Sequence, residues 1–226
     1  VGMLSYEQQI RKLPVRDRNG HKNHHGHVLV VGGDQGMAGA AAMAAEAAIY
    51  SGAGLVSVAT HPSSVSSLVA RRPEVMVKAV TTTDELKEMM SRATVIVVGP
   101  GLGMESLGME SLGMESLGIE SLGIESLGIE SLGSDRSWGS QLFNTVLQSE
   151  LHMVIDADGL NRLSRLPEQS ARRDNWILTP HPGEARRLLG KNVQVDRLAS
   201  VKQLQEKYGG VCLLKGVGTL IASGPD

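Results

Sequence analysis

HVLVVGGDQGMAGAAAMAAEAAIYSGAGLVSVAT, residues 27–60, holds a β-branched run, a glycine turn, an alanine-rich stretch and a second β-branched run. HVLVV (27–31) is short, apolar and closed by Gly32 and Gly33, the pattern of a buried strand. MAGAAAMAAEAAIYSG (37–52) reads as a helix and LVSVA (55–59) as the next strand. The alternation continues outward. TVIVV (94–98), HMVID (152–156), WILT (176–179) and VCLLK (211–215) read as strands, while DELKEMMSR (84–92), GEARRLLG (183–190) and VDRLASVKQLQEKYGG (195–210) read as helices. Gly209 and Gly210 stop the last one. Apolar strands alternating with helices predict an α/β fold whose mostly parallel sheet is covered on both faces. Ligands of such sheets lie outside the carboxyl ends of the strands, so the segments just after each strand are where chemistry is expected.

Composition narrows the partners. The 226 residues, 41% of them hydrophobic, suffice for one sizeable domain with a buried core. Aromatic residues make up 3% and glycine numbers 27, which favours close helix-on-sheet packing and backbone approach to a small ligand. A net charge of −2 provides no basic field for nucleic acid or an anionic membrane, and neither partner is expected. The single cysteine, Cys212, sits in the apolar run VCLL and reads as a small core residue. The charged start VGMLSYEQQIRKLPVRDRNG has no apolar signal core, and no apolar run reaches the length of a membrane span, so a cytoplasmic protein is expected. His21, His24, His25 and His27 cluster without a cysteine at a spacing that fits no zinc template, so no metal site is expected there.

Five strand-end loops carry Gly, Asp, His or Lys. In GGDQGMAGAA, Gly32, Gly33, Gly36 and Gly39 precede the alanine-rich helix and offer backbone donors to a polar ligand, but neither the dinucleotide fingerprint nor the P-loop spacing is present. GPGLG (99–103) joins a φ-fixed proline to glycines that let the main chain approach a ligand. DADGLN sets Asp156 and Asp158 at a strand end, where one could orient a hydroxyl or a hydrated Mg²⁺, or Asp158 could serve as a helix N-cap. In TPHPGE two prolines hold His181 in a rigid turn with Glu184 in the following first helical turn, which makes His181 a candidate for ligand contact. Lys215 in KGVGT ends a buried strand, and the charge with its flanking glycines could hold nucleotide phosphate or simply be solvated.

In order, HKNHHGHVLVVGGDQGMAGAA, SGAGLVSVAT, VIVVGPGLG, VIDADGLN, ILTPHPGEARRLLG and YGGVCLLKGVGT resemble the ADP-dependent (S)-NAD(P)H-hydrate dehydratase family. The likeness spans roughly residues 14–225 apart from the segment described below. It implies a ribokinase-like three-layer domain, with helices on both faces of a mostly parallel sheet. The implied reaction is that of a hydro-lyase: hydrated NADH or NADPH returns to the normal cofactor while ADP, or ATP in eukaryotic relatives, is consumed with Mg²⁺. Phosphorylation would make the hydroxyl a leaving group, and such transfer rests on positioning and charge stabilisation. Carried over by motif, Ala40, Gly101 and His181 would contact the hydrated dinucleotide, Asp156 and Asp158 would lie near the reacting ring, and Lys215, Gly216, Val217, Gly218 and Thr219 would hold the adenine nucleotide. Relatives form homo-oligomers. A ribokinase-like small-molecule kinase is the alternative enzyme of the same fold.

Two departures stand out. The family carries a GGxGD loop after the KGxGT strand whose Asp is the catalytic base; no GGxGD occurs in this sequence, which ends at Asp226. The catalytic residue is therefore unassigned, and an incomplete fragment or an engineered scaffold of the dehydratase is a further reading. The other departure is GMESLGMESLGMESLGIESLGIESLGIESL, residues 103–132, six copies of a five-residue unit. Removing it restores an unbroken GPGLG before SDRSW, so one domain over 1–226 with an inserted loop is expected. A period of five turns about 140° per copy on a helix and changes face on a strand, so neither element gains a buried side. A solvated acidic surface loop is expected.

Overall fold

The structure is a computed structural model and describes residues 2–5, 7, 9, 19–103, 137–167 and 172–224. The expected repeat loop, 103–132, lies outside the described residues except for Gly103. Among the described residues eight strands form one sheet: β1 (His27–Val31), β2 (Leu55–Thr60), β3 (Met76–Ala79), β4 (Val95–Val98), β5 (His152–Ile155), β6 (Trp176–Leu178), β7 (Val211–Leu214) and β8 (Leu220–Ser223). Their order is β3-β2-β1-β4-β5-β6-β7-β8. Every pair is parallel except β7 with β8. The chain winds one way from β1 through β2 to β3, then returns to the other side of β1 with β4. The crevice between β1 and β4 is thus a switch point, where the loops leaving two neighbouring strands diverge.

Among the described residues seven helices join the strands: α1 (Ala38–Tyr50), α2 (Val65–Arg71), α3 (Thr83–Met90), α4 (Trp138–Leu147), α5 (Asp158–Leu163), α6 (Pro182–Leu189) and α7 (Arg197–Tyr208). Strand alternation sorts the core into two clusters. Val30, Val56 and Val58 meet Ala41, Ala42, Ala45 and Leu68 on one face. Leu29, Val31, Ile96, Val98, Ile155 and Leu178 meet Leu86, Leu142, Phe143, Leu160 and Leu204 on the other. Alanines at three inner positions of α1 let that helix lie close against the valines. Cys212 is fully buried, and burial pushes its thiol up to about 12. No helix of the described residues is long and apolar enough to cross a membrane.

The strands expected from sequence all form, within a residue or two of their expected ends. The reading omits β3, β8, α2 and α4. MVKA and LIAS lie at the two edges of the sheet and are partly exposed, so neither shows the continuous apolar run that marks the central strands. Within the histidine cluster, His27 serves the fold: its Nδ1 lies 2.9 Å from the Arg92 carbonyl and its Nε2 2.7 Å from the Ser57 hydroxyl.

Candidate active site

The switch point brings two glycine loops into backbone contact. The Gly33 amide donates to the Pro100 carbonyl at 3.1 Å, the Asp34 amide to the Gly101 carbonyl at 2.7 Å, and the Gly99 amide to the Val31 carbonyl at 3.2 Å. Glycine is required where main chains touch: a Cβ on Gly99 would lie 1.9 Å from the Asp156 carbonyl oxygen, at a φ of +119°. Gly101 is buried beneath the first turn of α1, and a Cβ there would come within 3.2 Å of the Ala40 Cβ. Two of the residues expected to touch the dinucleotide, Ala40 and Gly101, are therefore neighbours. Ala40 itself is exposed, and Met37, the N-cap of α1, gives no side-chain cap, which leaves helix donors facing the crevice.

Three consecutive strands each contribute one polar group beside it. Asp156, after β5, accepts from the Thr179 hydroxyl at 2.9 Å and pairs with Lys215 Nζ at 2.7 Å, Thr179 following β6 and Lys215 following β7. The Lys215 amide donates to the Pro180 carbonyl at 2.9 Å, tying the KGVGT turn to the HPGE turn. The backbone between the two aspartates is strained: Ala157 has φ +47° and is the only non-glycine with positive φ among the described residues. Strain of this kind gathers at functional sites. It turns Asp156 toward Lys215 while Asp158 reaches the other way, to accept from the Gly103 amide at 3.1 Å.

Asp158 is not a helix N-cap. Ala157 holds that position without a side-chain cap, and Asp158 is the first residue of α5, because its carboxylate is used on the GPGLG loop instead. Desolvation raises its pKa above the ordinary aspartate value, opposed by the Gly103 amide and by Arg162. Arg162 is buried at 6% exposure; its guanidinium donates to the Gly103 carbonyl at 2.6 Å and to the Ser140 hydroxyl.

His181 caps α6. Its Nδ1 accepts from the Gly183 amide at 2.9 Å and the Glu184 amide at 3.4 Å, while buried Glu184 accepts from the His181 amide at 2.8 Å. This reciprocal cap, with Pro182 at the first helical position, fixes the turn. Nδ1 acts as an acceptor, so the proton of the neutral ring sits on Nε2, 3.4 Å from a Glu184 oxygen. The ring is about half exposed.

The rest of KGVGT stands apart from this network. Val217 is fully exposed, and Gly218 has no heavy atom near a built Cβ. The Thr219 hydroxyl donates to the Gly216 carbonyl at 3.2 Å. Arg197, at the start of α7, braces the turn by donating to the Val217 carbonyl at 2.8 Å and the Gly218 carbonyl at 3.1 Å. Arg162, Arg197 and Thr179 escape the sequence reading. The two arginines lie in helices with no local motif; only Thr179, inside the quoted TPHPGE turn, carried a signal.

A separate cavity of about 510 Å³ opens at the amino end of the sheet, lined by His27, Ser57, Met76, Lys78, Glu88 and Arg92 among others. It lies across the sheet from the strand-end loops and shares no residue with them.

The sequence profile of the NAD(P)H-hydrate dehydratase family matches residues 28–116 and 128–226, and the stretch it skips lies inside the repeat. A bifunctional NAD(P)H-hydrate repair enzyme from Coxiella burnetii is 46% identical over 97% of this chain, which spans only 38% of that enzyme's length. An ADP-dependent (S)-NAD(P)H-hydrate dehydratase from Lactiplantibacillus plantarum is 31% identical over 96% of this chain and 68% of its own. In three dimensions a ribokinase-like superfamily protein from Enterococcus faecalis superposes with a TM-score of 0.76 at 26% identity, over 97% of this chain and 68% of that one. The chain belongs to the NAD(P)H-hydrate dehydratase family.

Proposed function

We propose that this chain is the catalytic scaffold of an adenine-nucleotide-dependent hydro-lyase that returns hydrated NADH or NADPH to the reduced cofactor, acting in the cytoplasm. The observation that carries the reading is the convergence, at one end of the sheet, of the Gly99–Gly103 loop with the Asp156, Thr179 and Lys215 network. Family membership supports hydrated NADH or NADPH as the substrate. Ala40, Gly101 and the half-exposed ring of His181 would contact the hydrated dinucleotide, with Asp156 and Asp158 on the side of the reacting ring. Lys215 and the Gly216–Thr219 turn would receive the nucleotide.

The residues present suit a nucleotide in one particular respect. Arg197 draws the Val217 and Gly218 carbonyls onto itself, which spares an incoming phosphate two acceptors. Among the described residues no three His, Cys, Asp or Glu side chains gather to hold a metal, so Mg²⁺ would arrive on the nucleotide phosphates. The bound nucleotide supplies the phosphoryl group that turns the ring hydroxyl into a leaving phosphate. What the chain contributes is orientation: rigid backbone at the switch point and a cation, Lys215, held in place by Asp156.

The test incubates the chain with hydrated NADH, ADP or ATP, and Mg²⁺, and follows the return of reduced-nicotinamide absorbance. Nucleotide-dependent recovery is expected; no recovery together with no measurable affinity for NADPH overturns the proposal. Two variants separate the cap from the ligand contact at His181. His181→Asn keeps an N-cap acceptor and His181→Ala removes it at a stability cost of about 1 kcal/mol. Both are expected to weaken NADPH binding about tenfold. Loss of affinity in the alanine variant alone would make His181 a cap and nothing more.

A further inference from the structure

The cavity of about 510 Å³ at the amino end of the sheet has the size of a small-molecule pocket, far above the voids of an ordinary core. Its origin lies in side-chain size. On the sheet face that carries Leu29 and Val31, β2 presents two small residues in succession, Ser57 and Ala59. Ser57 stands between Leu29 and Met76, and Ala59 between Val31 and Lys78, so a hollow runs along β2 between larger neighbours. The helix α3 packs on this face through buried Leu86 and lines the hollow with Glu88 and Met89. Leu55, Met76 and Met89 give the cavity an apolar body. Its polar wall is fixed: Ser57, 5% exposed, bonds His27, and His27 bonds the Arg92 carbonyl.

Two cations, Lys78 and Arg92, line the same cavity, and one carboxylate meets both. Glu88 Oε2 lies 2.9 Å from Lys78 Nζ, and Glu88 Oε1 lies 3.5 Å from Arg92 Nη2. Lys78, and after it Arg92, hold the Glu88 carboxyl below its ordinary range, the mark of a locally positive field. The Lys78, Glu88 and Arg92 side chains are 42%, 57% and 73% exposed, and ion pairs this exposed are weak. A carboxylate from outside can therefore take the place of the one already there.

We propose that this cavity is a second ligand site, across the sheet from the dinucleotide crevice, that takes a small monocarboxylate with an apolar body, and that Glu88 is the internal stand-in such a ligand displaces. The ligand carboxylate would sit between Lys78 and Arg92, two cations that together carry one charge more than Glu88 neutralises. Its apolar body would lie against Leu55, Met76 and Met89, where unbranched methionine side chains adapt to the shape they meet. Glu88 is then a competitor for its own site. That is the property that separates a ligand site from an ordinary surface ion pair.

The test titrates 4-phenylbutyrate, and 4-phenylbutylamine as its cationic counterpart, into the full chain, with affinity read by calorimetry and the His27 ring protons followed by NMR. Three proteins are compared: the chain as it is, Glu88→Gln, and the double substitution Lys78→Gln with Arg92→Gln. All three positions are exposed, so the variants are expected to fold. Saturable binding of the acid is expected, with a shift of the His27 ring and an affinity about tenfold above that of the amine. Glu88→Gln is expected to tighten binding of the acid about fivefold, and the double variant to weaken it at least about tenfold, since Glu88 then repels the ligand. Acid and amine binding equally would make the cavity an apolar hollow and overturn the proposal. No saturable binding of the acid to either the native chain or Glu88→Gln, an unshifted His27 ring, or an affinity unmoved by Glu88→Gln would overturn it as well. None of these readouts calls on the dinucleotide crevice, so a failure of NADPH to bind there leaves this test intact.

Discussion

The GPGLG loop and the KGVGT turn are both glycine-rich, both follow a central strand, and are built in opposite ways. Gly99 to Gly103 is buried throughout, crossed by amides from Gly33 and Asp34 and held at its far end by Asp158 and Arg162. Its glycines exist because other main chain occupies the space a side chain would need. Beyond Lys215 the second turn is exposed, and its tertiary side-chain contacts come from Arg197. The contrast separates two uses of glycine. One loop is a finished piece of the core that presents a fixed surface; the other is an exposed turn braced from beneath by Arg197.

The sharpest way to break that contrast is to add a methyl group to each. Gly99→Ala forces a Cβ into the Asp156 carbonyl and is expected to cost about 3–5 kcal/mol in a urea unfolding midpoint. Gly218→Ala meets open space and pays only for its φ of +69°, about 1 kcal/mol. Equal costs would mean that the two turns are not different in kind. Next in size is Arg197→Ala, which leaves the Val217 and Gly218 carbonyls without their brace. Nucleotide affinity measured by calorimetry is expected to fall about tenfold, since binding must then order the turn, while the unfolding midpoint moves little. A large loss of stability with unchanged affinity would place Arg197 in the fold instead of the site.

The smallest effect concerns Asp158, on the buried side of the comparison. Its folded-state pKa is raised by desolvation, so the folded chain holds this proton more tightly than the unfolded one. The stability tied to it is fully present below the ordinary aspartate value of 3.8 and is lost as the pH rises through the higher folded value. Asp158→Asn keeps an acceptor for the Gly103 amide and removes the titration. The stability of the native chain relative to the variant should therefore fall with rising pH across that window, read from urea melts at a series of pH values. A flat difference would mean that Asp158 is better solvated than the geometry implies.

The sequence carried much of this arrangement and missed particular parts for identifiable reasons. HVLVV and TVIVV were legible because a strand buried on both faces must be apolar at every position. His181 and Glu184 were legible as a pair because a helix start depends on residues three apart, and the reciprocal cap follows from local chain geometry. Arg162 and Arg197 were not, since each is defined by carbonyls that the fold brings from distant parts of the chain. The strain at Ala157 was invisible because alanine advertises no left-handed backbone.

By itself, then, the sequence determined the alternation of strands and helices, the glycine loops at the strand ends, and the order of motifs that marks the family. These properties are local, set by side-chain period, turn chemistry and capping over a few residues. Only the tertiary structure decided that Ala40 lies against Gly101, that Asp156 pairs with Lys215 while Asp158 turns to Gly103, and that the chain after the repeat returns to the loop it left. Those contacts join residues far apart in sequence, and they arise because parallel strands deliver their carboxyl ends to one edge of one sheet.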